Sequence, residues 1–149
     1  MSTRRRAREV ALQVLFQFDL NPAATAVDCG PFLRARLRQP PLVAFARALV
    51  EGVAEECGRI DALLDSRSEH WRISRMAATD RTVLRLAVYE LAQSETPGAV
   101  IVDEAIELAR RYGGAGSPAF VAGILGRCLN DRSQLRQAFE LPVVADADG

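Results

Sequence analysis

The densest cluster of chemically active side chains is an arginine run near the start of the chain. Arg4, Arg5, Arg6 and Arg8 fill four of five consecutive positions in a protein whose net charge is zero. Guanidinium groups bind phosphates well, because they offer several hydrogen-bond donors in a planar fork. A solvated N-terminus is the simpler alternative, but cations at a helix N-terminus oppose the helix dipole. The run therefore favours a polyanionic partner such as nucleic acid.

Side chains suited to catalysis or metal binding are few. The single histidine is His70, and the three cysteines, Cys29, Cys57 and Cys128, contain no C-x-x-C pair, so we expect neither a disulfide framework nor a zinc site. The chain has no lysine, which excludes Schiff-base chemistry and a P-loop lysine. Segment 113–116 is glycine-rich but lacks a preceding strand. We expect no enzyme activity, no cofactor and no metal.

The composition is that of an ordinary globular protein. Of its 149 residues, 49% are hydrophobic and 26% are charged, with 19 basic and 19 acidic side chains in balance. This balance argues against a histone-like protein that coats a polyanion. No apolar run is long enough to span a membrane, and no secretory signal is recognisable. We therefore expect a reduced, cytoplasmic protein with no membrane partner.

Hydrophobic periodicity predicts an all-α fold of about seven helices. The predicted helices cover residues 4–20, 32–38, 42–57, 60–67, 80–93, 100–112 and 117–129, with one or two further turns over 132–139. Segment 80–93 is apolar on nearly all sides, which predicts a position at the centre of the fold. The connection at 68–78 divides the single domain, 1–149, into an N-terminal half, 1–72, and a C-terminal half, 73–139. We expect the tail, 140–149, to be frayed.

Two aromatic residues are candidates for stacking on bases. On a helical wheel of about 100° per residue, the inward face of the first helix comprises Ala7, Ala11, Val14, Leu15 and Phe18. Phe16 falls on the opposite side with Arg5, Glu9 and Leu12, where its ring could stack on a base beside a phosphate contact. Cover by the second half of the chain explains Phe16 equally well. Phe120 lies at the edge of the core face of its helix, where core packing is slightly favoured.

Several motifs together resemble those of a known family. They are Arg4–Glu9, Ala11–Gln13, Leu15–Phe16, Leu84–Leu91, Asp103–Ala109, Tyr112–Gly113, Ser117, Phe120–Val121 and Gly123–Leu125. In order and spacing they resemble the NusB family of transcription antitermination factors. The motifs cover about half of the chain, whereas residues 21–74 match only as a helical pattern.

The resemblance implies a fold, a function and a set of contact residues. The fold is a NusB-like bundle of two packed three-helix halves. The function is binding of boxA RNA together with NusE, a small-subunit ribosomal protein, which promotes processive transcription of ribosomal RNA operons by the elongation complex. The implied RNA-binding residues are Arg4, Arg5, Arg6, Arg8, Phe16, Ser117 and Phe120. Ala119 and Ala122 stand where family members commonly carry lysine and asparagine.

Two alternatives belong to other functional classes. A similar helical domain begins some ribosomal-RNA cytosine methyltransferases, so the chain could be an RNA-binding domain of that type. It could also be a protein–protein interaction module, for example a homodimer without an RNA role. Light scattering would detect a dimer as a doubled mass.

Overall fold

The computed structural model describes residues 3–140, which form eight α-helices and two short 3₁₀ turns without any strand. The helices are α1 Arg4–Leu20, α2 Gly30–Leu37, α3 Pro40–Glu55, α4 Cys57–Asp65, α5 Ala78–Gln93, α6 Gly98–Tyr112, α7 Ser117–Asn130 and α8 Arg132–Glu140, and the 3₁₀ turns are Pro22–Ala26 and Ile73–Arg75. The predicted all-α class is confirmed. Of the predicted frayed tail, residues 141–149 lie outside the described residues, and Glu140 ends α8.

Helix α5 occupies the centre of the fold. It contacts α1, α3, α4, α6, α7 and α8. Its side chains Val83, Leu84, Val88 and Leu91 are completely buried. The central position predicted from its apolar sequence is therefore confirmed. Helix α5 packs against helices from both predicted halves. The division of the chain at residue 72 stays a prediction.

Helix α1 is covered on two sides, since it packs against both α3 and α5. Leu12 is 3% exposed and Glu9 is 6% exposed, although both lie on the face that the helical wheel predicted to point outward. That part of the prediction is wrong. The helical wheel predicted a single buried face for α1. In the structure two helices, α3 and α5, pack against it, so more of its surface is buried.

Two ion-pair sites hold α1 along α5. Near its start, Arg8 donates two hydrogen bonds to the Glu90 carboxylate, at 2.7 and 2.8 Å. Near its end, Asp19 accepts hydrogen bonds from Arg81 at 2.6 Å and Arg85 at 2.7 Å. Burial acts to raise the pKa of Asp19, but the hydrogen bonds and charges of these two arginines outweigh it and hold the pKa below its usual range. The direction of α1, and hence the position of its N-terminal arginines, is fixed at both ends.

Within residues 3–140, no helix combines the length and apolar composition that crossing a membrane requires. The same residues bring together no group of three side chains able to hold a metal ion.

Candidate nucleic-acid interface

The first arginines of α1 point toward different neighbours. The guanidinium of Arg4 lies 4.8 Å from the centre of the Phe45 ring on α3. On the other side, Arg5 donates two hydrogen bonds of 3.0 Å to the Glu104 carboxylate on α6. The Arg5 side chain is still 57% exposed, and exposed ion pairs of this kind are weak. Arg5 can therefore contact a phosphate without leaving a buried charge behind.

Glu9 joins the start of α1 to the end of α6. Its carboxylate accepts hydrogen bonds from Arg111 Nη1 at 2.7 Å and from the Tyr112 hydroxyl at 2.8 Å, and Arg6 lies 3.5 Å away. Burial, together with the bond to Glu9, raises the pKa of Tyr112. The Arg111 side chain is 51% exposed and Tyr112 is 39% exposed. Two cations and one aromatic ring therefore share the solvent-facing side of this contact.

We call this area, formed by Arg5, Arg6, Arg111 and Tyr112, the α1–α6 surface. Sequence reasoning did not identify Arg111 and Tyr112 as candidates, because no local pattern places the end of α6 beside the arginine run. The Tyr112–Gly113 motif pointed to this part of the chain, but it did not show that the start of α1 lies next to it. Only the contact with Glu9 shows that the end of α6 lies beside the arginine run.

Arg8 differs from the other arginines of the run because it points inward. Its side chain is 5% exposed and that of its partner Glu90 is 3% exposed. The guanidinium also lies 5.2 Å from the centre of the Phe45 ring. The exposed patch of four arginines expected from the sequence is thus a patch of three, since the fourth is enclosed in an ion pair.

Ser117 is also enclosed, and it organises the loop between α6 and α7. The residue is 6% exposed, and its Oγ accepts a hydrogen bond from the Gly114 amide at 3.0 Å. A Cβ atom at Gly113 would lie 2.5 Å from this Oγ and 2.7 Å from the Ala109 carbonyl oxygen. Only glycine fits there without a shift of the backbone. Ser117 therefore holds a tight loop next to Tyr112.

The two candidate stacking residues occupy different environments. Phe16 is half-buried and lies outside both the buried core and the hydrophobic side chains packed against it. Phe120 packs partly against the core, as the sequence slightly favoured, and its ring meets that of Trp71 edge-on at 6.4 Å. Trp71 is 54% exposed. Among residues 3–140, no cation–ring contact links Phe16 or Phe120 to the arginines of α1.

The chemistry available at the α1–α6 surface is that of binding. Arginine side chains supply positive charge and hydrogen-bond donors for phosphates, and exposed rings supply faces for bases. This combination defines a candidate nucleic-acid interface on an all-α bundle.

Comparison with known proteins agrees with this class. The profile described as the NusB family matches residues 5–130. The transcription antitermination protein NusB of Streptomyces avermitilis is 40% identical over 141 residues, which are 92% of this chain and 98% of that protein. The NusB of Sorangium cellulosum is 43% identical over 128 residues, covering 85% of this chain and 91% of that protein. The chain belongs to the NusB family of transcription antitermination proteins.

Solved structures show the same fold. The crystal form 2 structure of T. maritima NusB is 36% identical to this chain, with a TM-score of 0.78, and the match covers 95% of this chain and 100% of that one. A second similar chain comes from a crystal structure of the antitermination factors NusB and NusE in complex with double-stranded RNA. It is 23% identical with a TM-score of 0.68, covering 91% of this chain and 96% of that one, and at this identity it bears on the fold alone.

Proposed function

We propose that this chain binds boxA RNA jointly with NusE and, within the transcription elongation complex, promotes processive transcription of ribosomal RNA operons. The observation that supports this best is the α1–α6 surface, where Arg5, Arg6 and Arg111 gather in a protein of zero net charge. A NusB chain of the same fold is found in a crystal structure with NusE and double-stranded RNA, and for this reason we propose these two kinds of partner. The curated relatives are named for transcription antitermination.

Within this proposal the implied residues take different roles. Arg4, Arg5 and Arg6 contact phosphates, whereas the buried Arg8 fixes the helix that presents them. Ser117 sets the shape of the neighbouring loop through its bond to the Gly114 amide.

The aromatic residues contact bases in this proposal. Phe16 and Phe120 offer partly exposed rings for stacking. Ala119 and Ala122 leave the start of α7 without long polar side chains, so α1 supplies the larger share of RNA binding.

The direct test is a titration of boxA RNA with and without NusE. A few arginine–phosphate contacts cannot alone give tight binding at physiological salt. We therefore expect the affinity for boxA RNA to rise markedly when NusE is added, as measured by gel shift or fluorescence anisotropy. A scrambled RNA of equal length serves as the control. Equal affinity for boxA RNA in both conditions would contradict joint binding.

The same samples test the dimeric alternative. Light scattering of the protein without RNA gives its mass, and a second run includes boxA RNA. A doubled mass that RNA leaves unchanged, together with no binding in the titration, would favour an interaction module without an RNA role.

The salt dependence of RNA binding tests whether the arginine run contacts phosphates. Three arginines of the run, Arg4, Arg5 and Arg6, predict a slope of log K against log salt of about −2.1, at roughly −0.7 for each phosphate on a single strand, and a further contact by Arg111 would make it about −2.8. Replacing Arg5 by glutamine should make the slope less negative by about 0.7 and weaken boxA and scrambled RNA alike. A slope near zero for the unmodified protein would show that binding is not electrostatic.

A further inference from the structure

A second basic region lies on α2, outside the surface described above. Residues 29–50 contain four arginines and no aspartate or glutamate. Three of them, Arg34, Arg36 and Arg38, are exposed on the last turns of α2 or directly after it. An acid-free segment of this kind concentrates positive charge in an otherwise neutral protein.

Within the part of the chain that the structure describes, carboxylates in this region form ion pairs with Arg47 only. Arg47 lies 3.2 Å from Asp28 and 3.5 Å from Glu51. The Gly30 amide foremost, and further the charges of Arg47 and Arg34, hold the pKa of Asp28 below its usual range. Asp28, which precedes α2, thus partly neutralises Arg47 and, more weakly, Arg34.

The end of α2 keeps its charge. Among residues 3–140, no carboxylate lies within ion-pairing distance of Arg36 or Arg38. We call these two residues the α2 patch.

The backbone at Arg38 is unusual for an arginine. Its φ angle is 62°, and it is the single non-glycine residue with positive φ among those described. It follows the last residue of α2 with a ψ of −40°, and the Gln39 amide donates to the Leu37 carbonyl oxygen at 2.6 Å, so Arg38 is the centre of a tight, strained γ-type turn. Glycine would adopt this φ with less strain, yet the position carries a long cationic side chain. Backbone strain retained at an exposed position is typical of a functional side chain.

Arg36 is held in place without being neutralised. Its guanidinium lies 3.6 Å from the centre of the Phe32 ring, one helical turn earlier. Contact with a ring face orients the planar group and leaves the N–H donors at its edge available for a phosphate. The contact also reduces the side-chain freedom that binding would otherwise remove.

The α2 patch lies at the same end of the bundle as the start of α1. Helix α2 ends at Leu37 and α3 begins at Pro40, so Arg38 lies beside the first turn of α3. Arg4 stacks on Phe45 of α3, about 7.5 Å further along the axis at 1.5 Å per residue. Arg4 therefore lies on the α3 side of the start of α1, whereas Arg5 lies on the α6 side, where it pairs with Glu104.

We propose that Arg36 and Arg38 form a second phosphate-binding site, which holds the RNA backbone beyond the segment bound at the α1–α6 surface. This inference rests on the proposed function, since it extends the path of the same RNA. An RNA strand matches the patch because its phosphates recur regularly and its backbone needs no sequence-specific contact there.

The test compares two single-stranded RNAs with the full chain and NusE present. One has about 12 nucleotides and contains boxA, and the other adds about eight nucleotides at either end, tested separately. We expect the unmodified protein to bind one of the extended RNAs more tightly. The double variant Arg36→Gln with Arg38→Gly should lose this advantage, about 25-fold near 0.1 M salt for two contacts, with a slope less negative by about 1.4. Affinity for the short RNA should not change.

Arg47→Gln is the matched control, because it removes an arginine of the same segment that is already paired with Asp28 and Glu51. We expect its binding to both RNAs to be unchanged. Thermal melts check folding, and the Arg38→Gly change should leave the midpoint equal or higher, because glycine relieves the positive φ.

Three results would overturn the inference in distinguishable ways. If Arg5→Gln weakens both RNAs but the double variant weakens neither, the second site is wrong and the proposed function stands. If the double variant loses equal affinity for the short and the extended RNA, Arg36 and Arg38 contact the same RNA segment as the α1–α6 surface. Absence of boxA binding by the unmodified protein would remove the proposed function and this extension together.

Discussion

Replacing Arg8 by alanine should lower the free energy of unfolding by about 3–5 kcal/mol, the usual result of removing one partner from a buried ion pair. The change leaves the Glu90 carboxylate, whose side chain is 3% exposed, without its two hydrogen bonds. Its surroundings include Leu86 and Ile101, which offer no replacement donor. Urea unfolding followed by circular dichroism measures the loss, and because the pair is buried, salt should change it little.

Two further variants make this result specific. Arg5→Ala removes an arginine of the same run from an exposed pair with Glu104, and we expect little change in unfolding. Arg8→Met combined with Glu90→Leu removes both buried charges and should recover most of the stability. If Arg8→Ala unfolds at the same urea concentration as Arg5→Ala, the ion pair is not holding α1 to α5.

The arginine run shows what the sequence could and could not predict about the site. Its charge and its place at a helix start are local properties; the helix start is confirmed, since α1 begins at Arg4, whereas phosphate contact by these arginines stays a prediction. The different role of Arg8 depends on Glu90, which lies 82 positions later in the chain. No local pattern specifies that partner, so sequence reasoning counted four equivalent arginines where the structure has three exposed and one buried.

Helix positions depend on the local sequence and could be predicted, whereas pairings between distant residues could not. Apolar spacing and proline positions are local, and they located α1 at residues 4–20 and the apolar α5 at the centre. The helical wheel gives the direction of each side chain, but not the number of helices packed around it. Glu9 was therefore assigned to solvent, although it is buried and binds Arg111 and Tyr112.

Replacing Phe16 by alanine should weaken binding of boxA RNA by about 1–3 kcal/mol if its ring stacks on a base. The ring is half-buried and lies outside the hydrophobic side chains packed on the core, so the change should leave only a small cavity. Titration with boxA RNA and a thermal melt on the same sample measure the two quantities. Phe18→Ala is the control on the same helix. Phe18 packs against the core, so its loss should lower stability, by up to about 3–5 kcal/mol, and leave the affinity of the folded protein unchanged.

Salt dependence separates a stacking role of Phe16 from an indirect effect on the arginines. Stacking removes no charge–phosphate contact, so Phe16→Ala should lower affinity by the same factor at low and high salt, with an unchanged slope. A slope less negative by about 0.7 would mean that the ring acts by positioning an arginine such as Arg5. A sharply lower melting temperature with full affinity of the folded fraction would show that Phe16 serves packing, and the stacking role would be wrong.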